Sequence, residues 1–218
     1  LEHTDILPQH STASLAELPG GKVLGGTTTS PGTGGEKKAA QAELYVLDLG
    51  TKKVEWHGAV LAGTQTYTDL CAGRDGLVFG FADEKRFFVF DASKRQVVHE
   101  QNISERFGRC TSQQGTRAFV TDGKGSIYIL FVKGIARLDP KTFEIAWLAQ
   151  SPVSIGGGGD YLDGRIYFGT HAGWWWNYSR FATKEGYPGA HWMAFDPKTS
   201  RVEDFGLGVR NEGINTGA

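Results

Sequence analysis

The 218-residue chain is short of several things that would place it quickly. It has two cysteines, Cys71 and Cys110, one methionine and seven prolines. Two cysteines are too few for a disulfide framework, and they read as two buried thiols rather than one bridge. No apolar run approaches the roughly 20 residues that cross a bilayer as a helix. The start, Leu1-Glu2-His3-Thr4, lacks the basic and then apolar pattern of a secretory leader. An excess of one charge is missing as well. Lys and Arg total 23 and Asp and Glu 24, so no net field draws the chain to nucleic acid or to an anionic membrane. Neither partner is expected. The compartment stays open, with an extracellular or periplasmic setting preferred.

What the chain has in quantity is glycine, 31 residues, in a sequence that is 39% hydrophobic and 12% aromatic. That mixture fits many short strands joined by tight turns around a packed core. Four segments follow one plan: a Gly-led apolar strand, a connection, a second apolar strand ending in Asp, a polar turn and a third strand. The first runs from Gly21-Lys22-Val23-Leu24 to Leu44–Asp48 and Thr51–Trp56. The second runs from Gly76-Leu77-Val78-Phe79 to Phe87–Asp91 and Lys94–Val98. The third runs from Gly125-Ser126-Ile127-Tyr128 to Ile135–Asp139 and Lys141–Ile145. The fourth runs from Gly164-Arg165-Ile166-Tyr167 to Trp192–Asp196 and Lys198–Val202. A less regular strand precedes each glycine, at Ser14–Leu18, Thr68–Ala72, Arg117–Thr121 and Gly158–Leu162. Four strands per unit and a period near that of propeller blades predict an all-β fold of four four-stranded antiparallel blades. Their approximate bounds are 10–63, 64–110, 111–153 and 154–207. Residues 208–218 read as the start of a further blade or a closing strand, so the chain is expected to be part of a larger propeller. Its uncovered faces then call for a partner chain or for further blades.

The repeat resembles the β-propeller superfamily of quinoprotein-like and kelch-like blades. The resemblance rests on the apolar strand, Asp, Lys-Thr turn and following strand of Leu44–Trp56 and Ile135–Trp147. It implies the fold and leaves function to the loops. In an up-and-down blade, the connection between the second and third strands lies at the same end as the connection to the next blade. Gly-to-Asp distances of 15 and 14 residues in the second and third blades leave room for tight hairpins only. The first and fourth blades, at 27 and 32, carry insertions there, where scaffold folds tend to place binding and catalysis.

The first insertion, 27–42, is a polar Gly/Ser/Thr-rich loop without a phosphate-binding motif. The second, 170–190, is chemically richer. It holds His171, Trp174, Trp175, Trp176, Asn177, Tyr178, Arg180 and Tyr187, with His191 just beyond. Three successive Trp side chains cannot all face the core, and aromatics beside polar donors suit sugar rings. His10, Tyr67, Arg109, Arg210, Asn211 and Glu212 are expected at the same end, as is the Gly156–Gly159 run. His10, Tyr67, Arg210 and Glu212 join the Trp run and Asn177 as candidate ligand contacts. A divalent metal at His171 and His191 is a weaker expectation, because neither has a clear carboxylate partner in the sequence. No cofactor is identified.

The set His171, Tyr178, Arg180, Tyr187 and His191 resembles, in residue type, the sites of propeller-fold polysaccharide lyases. The resemblance implies β-elimination on a uronic-acid glycan. Arg180 would pair with the carboxylate, Tyr178 or His171 would take the proton, and Tyr187 or His191 would protonate the leaving oxygen. A non-catalytic module binding glycan or protein is the alternative. A quinone-dependent dehydrogenase, suggested by Trp56 and Trp147, is a third.

Overall fold

The protein is described from a computed structural model covering residues 6–30, 37–108, 118–170 and 189–210, apart from the side chains at 157, 209 and 210. The first sheet is β1 (Ser11–Leu18), β2 (Lys22–Thr28), β3 (Leu44–Asp48) and β4 (Lys53–Gly58). The second is β5 (Tyr67–Ala72), β6 (Leu77–Ala82), β7 (Arg86–Asp91) and β8 (Gln96–Asn102). After the short α1 (Ser104–Phe107) comes a third, of β9 (Phe119–Thr121), β10 (Ile127–Phe131), β11 (Gly134–Leu138) and β12 (Ile145–Gln150). The fourth is β13 (Ile155–Leu162), β14 (Arg165–Thr170), β15 (Gly189–Asp196) and β16 (Arg201–Arg210). Each is an antiparallel meander in chain order, which is the blade of a β-propeller. Blades one and two make up one compact unit; blades three and four belong to a second.

The repeat read from the sequence is written into the backbone. Gly21, Gly76, Gly125 and Gly164, which lead the second strand of each blade, have φ of +73°, +75°, +110° and +87°, a region that glycine enters without steric cost. In the fourth blade Asp163-Gly164 joins paired Leu162 and Arg165, and both residues have positive φ, the geometry of a tight hairpin. At the other turn, the residue four beyond each Asp is left-handed although none is glycine: Lys52, Arg95, Phe143 and Ser200, at +57°, +55°, +63° and +55°. Relief of that strain outweighs the extra freedom glycine gives the unfolded chain, so Lys52→Gly should stabilise by about 0.5 kcal/mol. A raised thermal midpoint checks this, and a lowered one overturns it.

Each blade has two faces. Side chains two and four residues ahead of the turn Asp lie on one, here the front, and those one and three ahead lie on the back. In the first unit the front of blade one (Ala16, Leu18, Leu24, Leu44, Val46) packs on the back of blade two (Leu70, Val78, Phe88, Phe90). Trp56 stacks on Phe90 with ring centroids 5.6 Å apart. In the second unit the front of blade three (Val120, Tyr128, Leu130, Ile135) meets the back of blade four (Ile155, Ile166, Phe168, Met193, Phe195). The same mode of packing builds both cores.

The two tryptophans that suggested a quinoprotein motif are not equivalent. Each stands eight residues beyond its turn Asp, yet Trp56 pairs with Val46 on the front and Trp147 with Ala136 on the back. The register shift lies between Val46 and Leu47 in blade one, but between Ile135 and Ala136 in blade three. Trp147 accordingly packs on Phe107 and Phe131 and donates its ring N–H to the Arg106 carbonyl. A β-bulge moves every later side chain to the other face, and the shared spacing carries no common motif.

Candidate functional site

The topology places the roots of the insertions beside the blade junctions, and in the first unit that end is closely bonded. Ala42 N–H donates to the Thr64 carbonyl at 2.8 Å and Thr29 N–H to the Gln65 carbonyl at 2.9 Å. Asp83, in the turn between β6 and β7, accepts from the N–H groups of Gln65 and Thr66 at 3.0 and 2.9 Å. The Arg86 guanidinium donates to the Ala62 carbonyl and the Thr64 hydroxyl. Both roots of the first insertion are thus fixed to the β4–β5 junction. In the second unit, Ser151 and Ile155 N–H groups donate to the Lys133 and Val132 carbonyls. His191 N–H donates to the buried Thr170 hydroxyl at 2.9 Å, joining the two roots of the second insertion.

A recurring pair closes the same end of three blades. The residue five ahead of the turn Asp reaches the fourth-strand residue that faces the position three ahead of it. The pairs are Glu43–His57 at 2.6 Å, Arg86–Glu100 at 2.7 Å and His191–Asp204 at 2.9 Å. Blade three has Gly134 and Trp147 instead, with the ring lying over the glycine. Pairs with one partner open to solvent contribute modestly to stability. They fasten the outer strand where the insertions emerge.

Among the described residues expected at the site, His191 has the chemically suggestive surroundings. Its side chain is 9% exposed, and Nδ1 lies 2.9 Å from both Asp204 oxygens. The carboxylate partner absent from the sequence reading therefore exists, supplied by the neighbouring strand. Asp204 fixes the ring and holds a proton on Nδ1, as orienting carboxylates do. Asp204 stands eight residues beyond Asp196, where an unshifted hairpin places the partner of Met193, and that position could have pointed to it.

The other candidates differ. Tyr67 is expected on the ligand surface, but it is fully buried, edge-on to Phe88 at 5.5 Å. Burial pushes its hydroxyl up to about 12, and it is a core residue. His10 does lie at the insertion end, with both ring nitrogens on carbonyl oxygens, Pro8 at 2.9 Å and Gln41 at 3.0 Å. It ties the start of β1 to the first insertion. Arg210 ends β16. Gly156–Gly158 occupy a register shift between the pairs Ile155–Thr170 and Gly159–Phe168. A Cβ at Gly159 would fall 2.5 Å from the Tyr167 carbonyl, so close backbone packing requires glycine there. Cys71 is a buried free thiol, as expected, and burial raises it to about 12. His171, Trp174, Trp175, Trp176, Asn177, Tyr178, Arg180, Tyr187, Glu212, Arg109, Asn211 and Cys110 lie outside the described residues. Among the described residues, no three His, Cys, Asp or Glu side chains gather as a metal site. No helix there is long and apolar enough to cross a membrane.

No protein-family model matches the chain, and no curated protein matches it. Solved structures do. BamB from Moraxella catarrhalis is similar at 14% identity with a TM-score of 0.54, over 88% of this chain and 51% of that one. A puromycin-hydrolyzing peptidase from Mycobacterium tuberculosis is similar at 14% identity and a TM-score of 0.59, over 96% of this chain and 30% of that one. The chain spans about half the length of the first and under a third of the second. At this identity the likeness concerns fold alone, and it agrees with the four meanders: the chain has a β-propeller fold.

Proposed function

We propose that the chain is a binding propeller that takes a glycan on the insertion of its fourth blade, 170–190. The observation that carries this reading is the bond from the His191 N–H to the buried Thr170 hydroxyl, which joins the two roots of that insertion. Loops held on a rigid base are the arrangement that lets a scaffold present a ligand surface. The composition of 170–190, with three Trp beside Asn, Tyr, Arg and His, supports a polyhydroxylated ligand whose apolar sugar faces stack on aromatic rings. Titration with a panel of neutral and acidic oligosaccharides, followed by tryptophan fluorescence, tests it. Binding that weakens about tenfold or more in Trp175→Ala is expected, on the scale of a lost aromatic contact. Folded protein that binds no glycan overturns the reading.

The His191–Asp204 pair favours a second reading, elimination on a uronate glycan. A base takes the proton from the carbon beside the carboxylate, the bond to the leaving glycosidic oxygen breaks, and a C=C bond forms as that oxygen gains a proton. Arg180 would hold the carboxylate, His171 or Tyr178 would take the proton, and His191 or Tyr187 would deliver one. Release of unsaturated uronate, read by ultraviolet absorbance, should then fall about a hundredfold in Asp204→Asn with the melting temperature little changed. Glycan binding without such release ends this reading and leaves the first. The equivalent pairs in blades one and two favour a strand-fastening role for His191, and for that reason binding leads.

A further inference from the structure

Four asparagines occur in the chain, and two of them begin the tripeptide Asn-X-Ser with X other than proline. They are Asn102-Ile103-Ser104 and Asn177-Tyr178-Ser179. That tripeptide is the acceptor pattern for N-linked glycans. So short a pattern also arises by chance, and its surroundings decide whether it can serve. Asn177 lies outside the described residues, whereas Asn102 is among them.

Asn102 ends β8, the edge strand of the second sheet, and it is exposed. The next residue is the reverse. Ile103 is fully buried, and its N–H donates to the Lys85 carbonyl at 2.8 Å. The tripeptide is therefore pinned at its middle residue and shows its asparagine to solvent. Ser104 completes the arrangement. Its hydroxyl donates to the Asn102 carboxamide oxygen at 2.7 Å, and its N–H donates to the same oxygen at 2.9 Å. The oxygen is taken up within the turn, and Nδ2 is the end of the group left for chemistry. Two donors on that oxygen draw electron density from the carboxamide, which eases loss of a proton from Nδ2.

We propose that Asn102 is an N-glycosylation site, the acceptor of an oligosaccharide carried on a lipid pyrophosphate. In the transfer, Nδ2 bonds to the anomeric carbon of the first sugar as the bond from that carbon to the pyrophosphate oxygen breaks. The lipid pyrophosphate leaves with the electron pair, and Nδ2 gives up one proton to a base of the transferase. A glycan is bulky and solubilising, and here it reaches solvent without displacing Ile103 from the core. It also stands at the end of an edge strand, whose open side invites pairing with other chains. Because this glycan is covalently attached, the inference is independent of glycan binding by the fourth blade.

The test takes the intact chain from its own cells and treats it with peptide N-glycosidase in heavy-oxygen water. The treatment converts a glycosylated asparagine to aspartate carrying one heavy oxygen and leaves an unmodified one as it was. Peptide mass spectrometry should find the heavy aspartate in place of Asn102. Variants made in the same cells sharpen the result, with circular dichroism checking that each folds. Asn102→Asp keeps an oxygen for both Ser104 donors but lacks Nδ2, so it should fold and carry no glycan at this position. Ser104→Ala should reduce occupancy of Asn102 to background, and Ser104→Thr, which keeps the hydroxyl, should retain it. Asn102 recovered wholly unmodified from the wild-type chain overturns the proposal. So does occupancy that survives Ser104→Ala.

Discussion

Phe88→Ala is expected to lower the unfolding free energy by about 3–5 kcal/mol, the range for a large aromatic removed from a core. The ring is fully buried on the back of blade two and lies within the cluster that joins this blade to blade one. Its edge meets Tyr67, and it lies over Gly80, where a Cβ would come within 2.3 Å of a ring carbon. A loss of that size is a large share of the ~5–15 kcal/mol that separates folded from unfolded domains. Urea unfolding followed by tryptophan fluorescence measures it. The same geometry predicts a coupling. Gly80→Ala alone is destabilising because the ring leaves no room, and in the Phe88→Ala background its methyl group enters vacated space. The two changes should therefore cost at least about 1 kcal/mol less together than the sum of the singles. Strict additivity would mean that ring and glycine do not press on one another.

Asp91→Ala should cost about 2 kcal/mol at neutral pH, the scale for removing a carboxylate that serves several donors. Its carboxylate receives the Lys94 ammonium at 2.7 Å, the Ser93 hydroxyl at 2.6 Å and the Ser93 and Lys94 N–H groups at 3.0 and 3.1 Å. Lys94 first, then Ser93, hold the acid well below its ordinary range. Asp48, Asp139 and Asp196 are lowered too, chiefly by backbone N–H groups of Thr51, Lys141 and Lys198 respectively. A carboxyl whose folded value is depressed adds stability that is fully present above its unfolded value, about 4. That stability disappears as pH falls through the lower, folded value. The wild-type protein should therefore lose stability steadily as pH drops below about 4. Asp91→Ala should begin less stable at pH 7 and lose less on acidification, so the two curves converge. Parallel curves would mean that Asp91 has no special standing in its turn.

The fold was legible because each blade repeats a local chemical requirement. Glycine before the second strand and Asp after the third answer demands of single turns, a positive φ in one and a carboxylate acceptor in the other. Such demands leave marks at fixed positions in the chain. The site was less legible because its geometry depends on strand register. Asp204 faces Met193 in the register set at the Asp196 turn, whereas His57 and Glu100 face Tyr45 and Phe88 past a shift, and no local signal announces where a bulge falls. Tyr67 shows the opposite failure. A junction position was read as exposed, while Gly26 and Phe88 enclose its side chain. Trp56 and Trp147 show how far a one-residue shift misleads, since equal spacing put them on opposite faces.

The outermost strand of a blade has a neighbour on one side only, so by default it frays first. Here it is held at both ends, at the turn by the Asp carboxylate and at the insertion end by the cross-strand pair. Unzipping from either end must first release a fastener, and the ladder between gains nothing from partial release. Amide hydrogens of β4, β8 and β16 should then exchange with solvent when a whole blade opens, not residue by residue from a loose edge. β12 is fastened differently, through the Trp147 ring on the Arg106 carbonyl. Its exchange should follow the stability of α1, so the outer strand of the third blade opens with a single turn of helix and not with a fastener of its own.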